Sequence, residues 1–291
     1  MSSDIMPMTE PRPRRQRSQD SGAADAALLF DEPGPRGRIL IAIGSVVAVI
    51  GIAALAAAVL YRLDLAGQLD YPKWRYFLGQ SVVSQLLEAA GTTLTLGGVA
   101  AVLTFPLGIA LGWLRLLDNR PIKWLIGLWI DAMRAVPMLL LVYFFLLVVP
   151  RFATISDFWK LALPIVMCTS ATTAEVFRSG VRALDRGQTE AAWALGMSPS
   201  LTMRLILAPQ ALRLMLPTLI TQMVTIIKGT TLAYVLAYPE LMYRGSTMIG
   251  QAKIDAHLSV FFQTYVIIAV LYIIVNWSLG ALARYIESHT R

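Results

Sequence analysis

Hydrophobic residues in this chain gather into long runs separated by polar connections. Residues 39–61 form the cleanest run, apolar on every side and bracketed by Arg38 and Arg62. As a helix it would reach about 35 Å at 1.5 Å per residue, enough to cross the hydrocarbon core of a bilayer. Further runs lie at about 86–116, 122–149 (stopping at Pro150), 158–176, 216–236 and 260–283. The pattern predicts an all-α membrane protein with six transmembrane helices. Between the first two runs, the connector 62–84 carries Tyr71, Trp74, Tyr76 and Phe77, residue types that settle at a membrane–water interface. Gly98, Gly108 and Gly112 give the second span a small-residue face with a G-x-x-x-G spacing, which suits close helix packing. No period of 20–50 residues repeats, which excludes solenoids and propellers.

Composition sharpens the class. Of 291 residues, 56% are hydrophobic and 15% charged, whereas a soluble domain carries roughly a quarter charged. Residues 1–38 are different material, rich in proline, arginine, serine and acids. Such a segment cannot build a packed core, and a disordered cytoplasmic tail is expected there, with Arg12, Arg14, Arg15 and Arg17 solvated. The tail is too long for the n-region of a cleavable signal, so helix 39–61 is expected to remain. A net charge of +7 would suggest nucleic acid in a soluble protein. In a membrane chain the placement of charge matters instead, and no nucleic-acid partner is expected. With the N-terminus inside, the tail, loop 115–123, loop 178–215 and the C-terminus hold sixteen of the 25 Lys and Arg residues. The outer segments 62–85, 150–160 and 237–259 hold seven. Both termini are therefore expected in the cytoplasm of a multi-pass cell-membrane protein surrounded by lipid.

Several chemistries are missing. Cys168 is the single cysteine and reads as a buried structural thiol. No metal-ligand cluster occurs, and His257 and His289 have no plausible serine partner, which argues against an intramembrane enzyme. No G-x-x-x-x-G-K-[ST] loop is present, so this chain is expected to bind no nucleotide.

The inner loop 178–215 carries the most specific signal. Gly187 is expected to make a turn and Thr189 to cap a short helix over 190–195, which ends at Gly196 before Ser198 and Pro199. A helix this short is unstable alone in water and needs something to dock against, and Ala191 and Ala192 leave room for close approach. Glu190-Ala191-Ala192, then Gly196, then Pro209-Gln210-Ala211-Leu212-Arg213 resembles the EAA loop of bacterial ABC-importer permeases. Ala208 departs from it, standing where leucine is usual. The resemblance covers about 85–291. Gly91-Thr92-Thr93-Leu94, Met133-Arg134-Ala135-Val136-Pro137, Thr173-Ala174-Glu175 and Lys228-Gly229-Thr230-Thr231-Leu232 look like the polar amino-acid uptake branch. Ala135, Val136, Gly229 and Thr231 depart from the usual forms of those segments.

The resemblance implies a five-helix importer core at 85–291, with 39–61 as an added N-terminal helix. It also implies that Glu190, Ala191, Ala192, Gly196 and Pro209 couple the chain to a cytoplasmic ABC ATPase dimer, which holds ATP-Mg. A second permease, related or identical, and an extracytoplasmic amino-acid-binding protein complete the implied set of partners. The added helix and the segment beginning Phe30-Asp31-Glu32-Pro33 are similar to the larger permease of actinobacterial glutamate importers. Glutamate or aspartate is the solute this implies.

Three ionisable residues fall inside spans, where each costs about 3 kcal/mol on insertion scales and should face protein or water. In one reading Arg134 or Lys228, with Thr230 and Thr231 and near Glu175, meets the solute's charge. In the other, Arg134 and Glu175 form a structural pair and helix-end carbonyls satisfy Lys228. An ion-gradient-driven secondary transporter is the rival class, although no inverted repeat is visible.

Overall fold

The computed structural model describes residues 34–290, and every element in them is helical. The expectations for Arg12 to Arg17 and for Phe30 lie outside the described residues. Two compact units divide at Ala66.

The first unit holds α1, Pro35–Leu65, which has Pro35 at its first turn and no buried residue. It begins before residue 39, so residues 35–38 are helix and not tail. A helix that is apolar all round suits lipid contact on every face.

The second unit opens with α2 (Tyr71–Arg75) and a 3-10 turn (Tyr76–Leu78), then α3 (Gln80–Leu116). At 37 residues, α3 extends roughly 55 Å, well beyond one hydrocarbon thickness. Its buried positions Val82, Leu86, Ala89, Thr93, Leu96, Ala100, Thr104, Gly108 and Leu111 advance by threes and fours, which keeps one stripe turned inward.

That stripe packs on α6, Asp157–Arg182, the centre of the bundle. A Cβ on Gly108 would lie 2.5 Å from the Thr173 Cβ, and one on Gly112 would lie 2.6 Å from the Ala174 carbonyl oxygen. The backbones therefore approach as closely as the G-x-x-x-G spacing permits. Gly98 does not share that role, since a Cβ there meets open space; Gly97, beside Ile227, is the packed one. The Thr104 hydroxyl bonds Thr169 Oγ1 at 2.8 Å in the same seam, and the Thr169 hydroxyl donates to the Ile165 carbonyl.

The span expected at 122–149 is two helices. α4 (Arg120–Ala135) and α5 (Met138–Leu147) belong to segments bent by 96°. Pro137 causes the break, because its ring pushes Val136 into extended backbone (φ −75, ψ 129). Pro106, Pro164 and Pro217 instead sit inside continuous helices.

After α6 come α7 (Arg186–Ala194), α8 (Pro199–Thr202), a π-turn (Met203–Leu207) and α9 (Ala208–Gly229). The π-turn precedes Pro209, which lacks an N–H, and Ala208 N–H reaches back five residues to the Met203 carbonyl. A 3-10 segment, Thr230–Leu236, continues from α9. The outer segment 237–259 was not expected to be helical, yet it contains α10, Leu241–Asp255. Leu241, Gly245, Met248 and Ala252 form its buried stripe, with Met248 and Ala252 packed near Phe77, Val82 and Leu86. Last comes α11, Phe261–Thr290.

By length and composition, four helical stretches are able to cross a membrane, or five if the bent α4–α5 pair is one span. α6 falls below that apolar standard despite its 26 residues. It is enclosed by α3, α4, α5 and α9, so threonine and serine on its surface meet protein.

Candidate functional site

Two regions gather the residues singled out from the sequence. The first is α7. Asp185 caps it by accepting the Gly187 N–H at 2.8 Å, so the helix starts at Arg186. Thr189 is therefore inside the helix and not its cap, and Gly187 makes no separate turn. Gly196, at φ +76, ends it as expected, a backbone state that glycine adopts without strain.

Around α7 the exposed side chains include Arg186, Gln188, Glu190, Ala191, Trp193, Ala194 and Leu195. Ala192 is 1% exposed and packed inside its own chain, so only Ala191 of the alanine pair is free to approach another surface. Trp193 is 55% and Leu195 82% exposed, a large apolar display on a helix of two turns. Pro209 lies at the start of α9, and its neighbour Gln210 reaches Gln188 of α7 at 3.5 Å.

The second region is where two spans stop. Arg134 stands in the last turn of α4 before the break at Pro137, and Lys228 stands in the last turn of α9 before the 3-10 segment. The two breaks adjoin, since a Cβ on Gly229 would sit 3.5 Å from the Met138 Sδ. Broken helices at one place in a bundle free backbone polar groups, a feature of helices that line transport paths.

The Arg134–Glu175 pair does not form. Glu175 bonds Arg115, and Arg178 donates to its other oxygen at 2.9 Å. Arg115 also reaches Asp131 at 3.2 Å, joining α3, α4 and α6. Its position at the end of an apolar run suggested a loop residue, and only the packing of α3 on α6 brings it to Glu175. Arg134 lines a cleft of about 420 Å³ with Glu175, Thr172, Ser179 and Thr218, and among the described residues it makes no ion pair. Lys228 is exposed, and among the described residues no helix-end carbonyl takes its ammonium.

Thr230 and Thr231 separate. Thr230 is fully buried and donates to the Ile227 carbonyl at 2.8 Å. Thr231 is half-buried and donates to the Lys228 carbonyl at 2.8 Å, leaving its oxygen able to accept. Glu240 went unnoticed in the sequence because it follows Tyr238 and Pro239 in a polar connection. It is fully buried and accepts the Tyr272 hydroxyl at 2.7 Å.

Residues 104–289 match the family described as the binding-protein-dependent transport system inner membrane component. This chain belongs to that family. The inner membrane component is 34% identical over 230 residues to the glutamate transport system permease protein GluD of Corynebacterium glutamicum, covering 77% of this chain and 82% of that one. It is 33% identical over 196 residues to the probable glutamine ABC transporter permease protein GlnP of Bacillus subtilis, covering 67% of this chain and 88% of that one. Its fold is similar to a solved amino acid ABC transporter, with TM-score 0.64 and 24% identity over 72% of this chain and 95% of that one. The inner membrane component is thus a multi-pass transport subunit of the membrane. The family match begins inside α3, so α1 lies outside it.

Proposed function

We propose that this chain is the permease of an ATP-binding-cassette importer for a polar amino acid, with glutamate or aspartate as solute. The observation that carries the solute class is the pair of cations, Arg134 and Lys228, at two adjoining helix breaks, neither with an ion-pair partner among the described residues. An uncompensated cation within a membrane bundle favours a mobile anion, and a side-chain carboxylate supplies a second negative charge beyond the α-carboxylate. Relatives whose names specify glutamate support this reading. Membership of a binding-protein-dependent family leaves the ion-gradient alternative without a supporting observation.

In this reading six helices cross the bilayer: α1, α3, the α4–α5 pair, α6, α9 with its 3-10 extension, and α11. Both termini face the cytoplasm, by the excess of Lys and Arg on that side. α7 docks on a separate ATPase subunit through Glu190, Ala191, Trp193 and Leu195, while Gly196 and Pro209 fix how the arm leaves the bundle. ATP-Mg binds to that partner dimer, and its closure is passed through α7 to the spans. A second permease and an external binding protein complete the importer.

Uptake of radiolabelled glutamate into vesicles, driven by ATP and compared between wild type and Gly196→Val, tests the reading. A Cβ at Gly196 has open space, so the cost of valine is its left-handed backbone alone. Loss of uptake with unchanged insertion is expected. Undiminished uptake would overturn the coupling role, and uptake of another amino acid but not glutamate would overturn the solute.

A further inference from the structure

Four segments distant in the chain meet at one buried polar cluster. Thr93 comes from α3, Thr230 from the 3-10 segment, Glu240 from the cap of α10 and Tyr272 from α11. The Tyr272 hydroxyl donates to Glu240 Oε2 at 2.7 Å, and the Tyr243 N–H donates to Oε1 at 2.8 Å. The Leu241 N–H donates to the Thr93 hydroxyl at 3.2 Å. The Thr93 and Thr230 hydroxyls also face the Tyr272 phenol. Among the described residues no lysine or arginine pairs with Glu240.

A buried acid without a cation is costly, and the capping of α10 does not require it. Serine, threonine, aspartate or asparagine caps a helix better than glutamate. What glutamate adds is reach, because one carboxylate holds α10 and α11 together. The segment beside it needs such support. Thr230–Leu236 is a seven-residue 3-10 run, longer than this weakly bonded geometry usually sustains. Leu232, Ala233 and Leu236 are held on one side by Leu96, Val142 and Leu161. The polar cluster meets the segment at Thr230, between Lys228 and Thr231 on the solute path.

We infer that Glu240 and Tyr272 are positioning residues for solute passage: as one clamp they fix the turn that presents Lys228 and Thr231. Glu240 is fully buried, so in this inference it acts through the segment and not on the solute. The inference rests on the reading above, in which Lys228 and Thr231 line the path.

The test uses the assembled importer in proteoliposomes, with Glu240→Gln, Tyr272→Phe and the double variant. Glutamine keeps the size of the side chain, and phenylalanine removes only a hydroxyl. One readout is maleimide labelling of Thr231→Cys, which does not depend on the solute; the native Cys168 is buried and adds little background. The other is KM and Vmax for radiolabelled glutamate. Each single variant is expected to change the labelling rate and KM by roughly threefold with Vmax preserved, and the double is expected to be no worse than the larger single. A lowered melting temperature with unchanged labelling and KM would overturn the inference, leaving the cluster as structural support. Additive effects would overturn the single clamp. Lys228→Met separates the two readings. If it leaves KM unchanged while labelling still shifts in Glu240→Gln, the path reading falls, and with it the clamp's role in passage. If it raises KM while Glu240→Gln changes nothing, the clamp alone fails.

Discussion

α1 and α6 stand at opposite ends of what hydropathy reads. α1 is apolar all round and buries no residue. α6 falls below the apolar standard of a membrane span, yet thirteen of its residues are buried and four helices enclose it. The contrast follows from what each surface touches. Lipid rewards apolar side chains, whereas a helix surrounded by protein is free to carry hydroxyls that bond its own carbonyls or a neighbour. In this chain the most obvious span buries none of its own residues, and the least obvious one organises its bundle.

The contrast breaks most sharply at Gly108. Leucine there would drive a side chain into Thr173 and the Ser170 carbonyl, so Gly108→Leu is expected to cost more than about 3 kcal/mol and abolish recovery of an assembled complex. Normal yield on size exclusion would show that α3 and α6 do not need their close approach. Next is Glu175→Gln, which leaves Arg115 and Arg178 beside a neutral group towards the C-terminal end of α6. With side chains about one-fifth exposed, the expected loss is about 2 kcal/mol, read as a lower melting temperature in detergent.

Glu240 provides the counterpart, an acid outside the spans with no cation. Burial raises its pKa above the ordinary 4.5, against the opposing pull of the Met242 N–H, the Tyr272 hydroxyl and the Tyr243 N–H. The folded state therefore keeps the proton to higher pH than the unfolded chain. This contribution to stability is present below about 4.5 and is lost as pH rises through the folded value. The melting temperature of wild type should fall relative to Glu240→Gln over that window; parallel curves would show that Glu240 titrates normally.

Smaller still is Thr104→Val, which deletes the hydroxyl bond to Thr169. Interhelical bonds in membranes average about 0.6 kcal/mol, so a shift of a degree or two in melting temperature is expected. The limiting case is Gly51→Leu on α1, where a Cβ meets nothing within 4 Å. Complex yield should match wild type, and a clear loss would mean that this face of α1 has a partner.

Legibility in the sequence followed the range of the interaction. The helical class, the position of most runs and the end of α7 at Gly196 follow from local pattern and backbone preference. The start of α7 was misplaced because Asp185 outcompetes Thr189 as a cap, and both are acceptable capping residues. α10 was missed because its stripe of Leu241, Gly245, Met248 and Ala252 is too weakly apolar to stand out. At the candidate site the residue types were visible, but their partners were not. Arg115 and Glu175 are sixty residues apart, and no local signal indicates that α3 brings one to the other.

By itself, the sequence determined where the chain is apolar enough for lipid and where glycine ends α7. Each depends on a residue and its near neighbours. Only the tertiary structure decided that Arg134 and Lys228 come to adjoining breaks, that Ala192 faces inward, and that Glu240 joins two helices. Those outcomes depend on which helix faces approach one another, and packing between distant segments sets that approach.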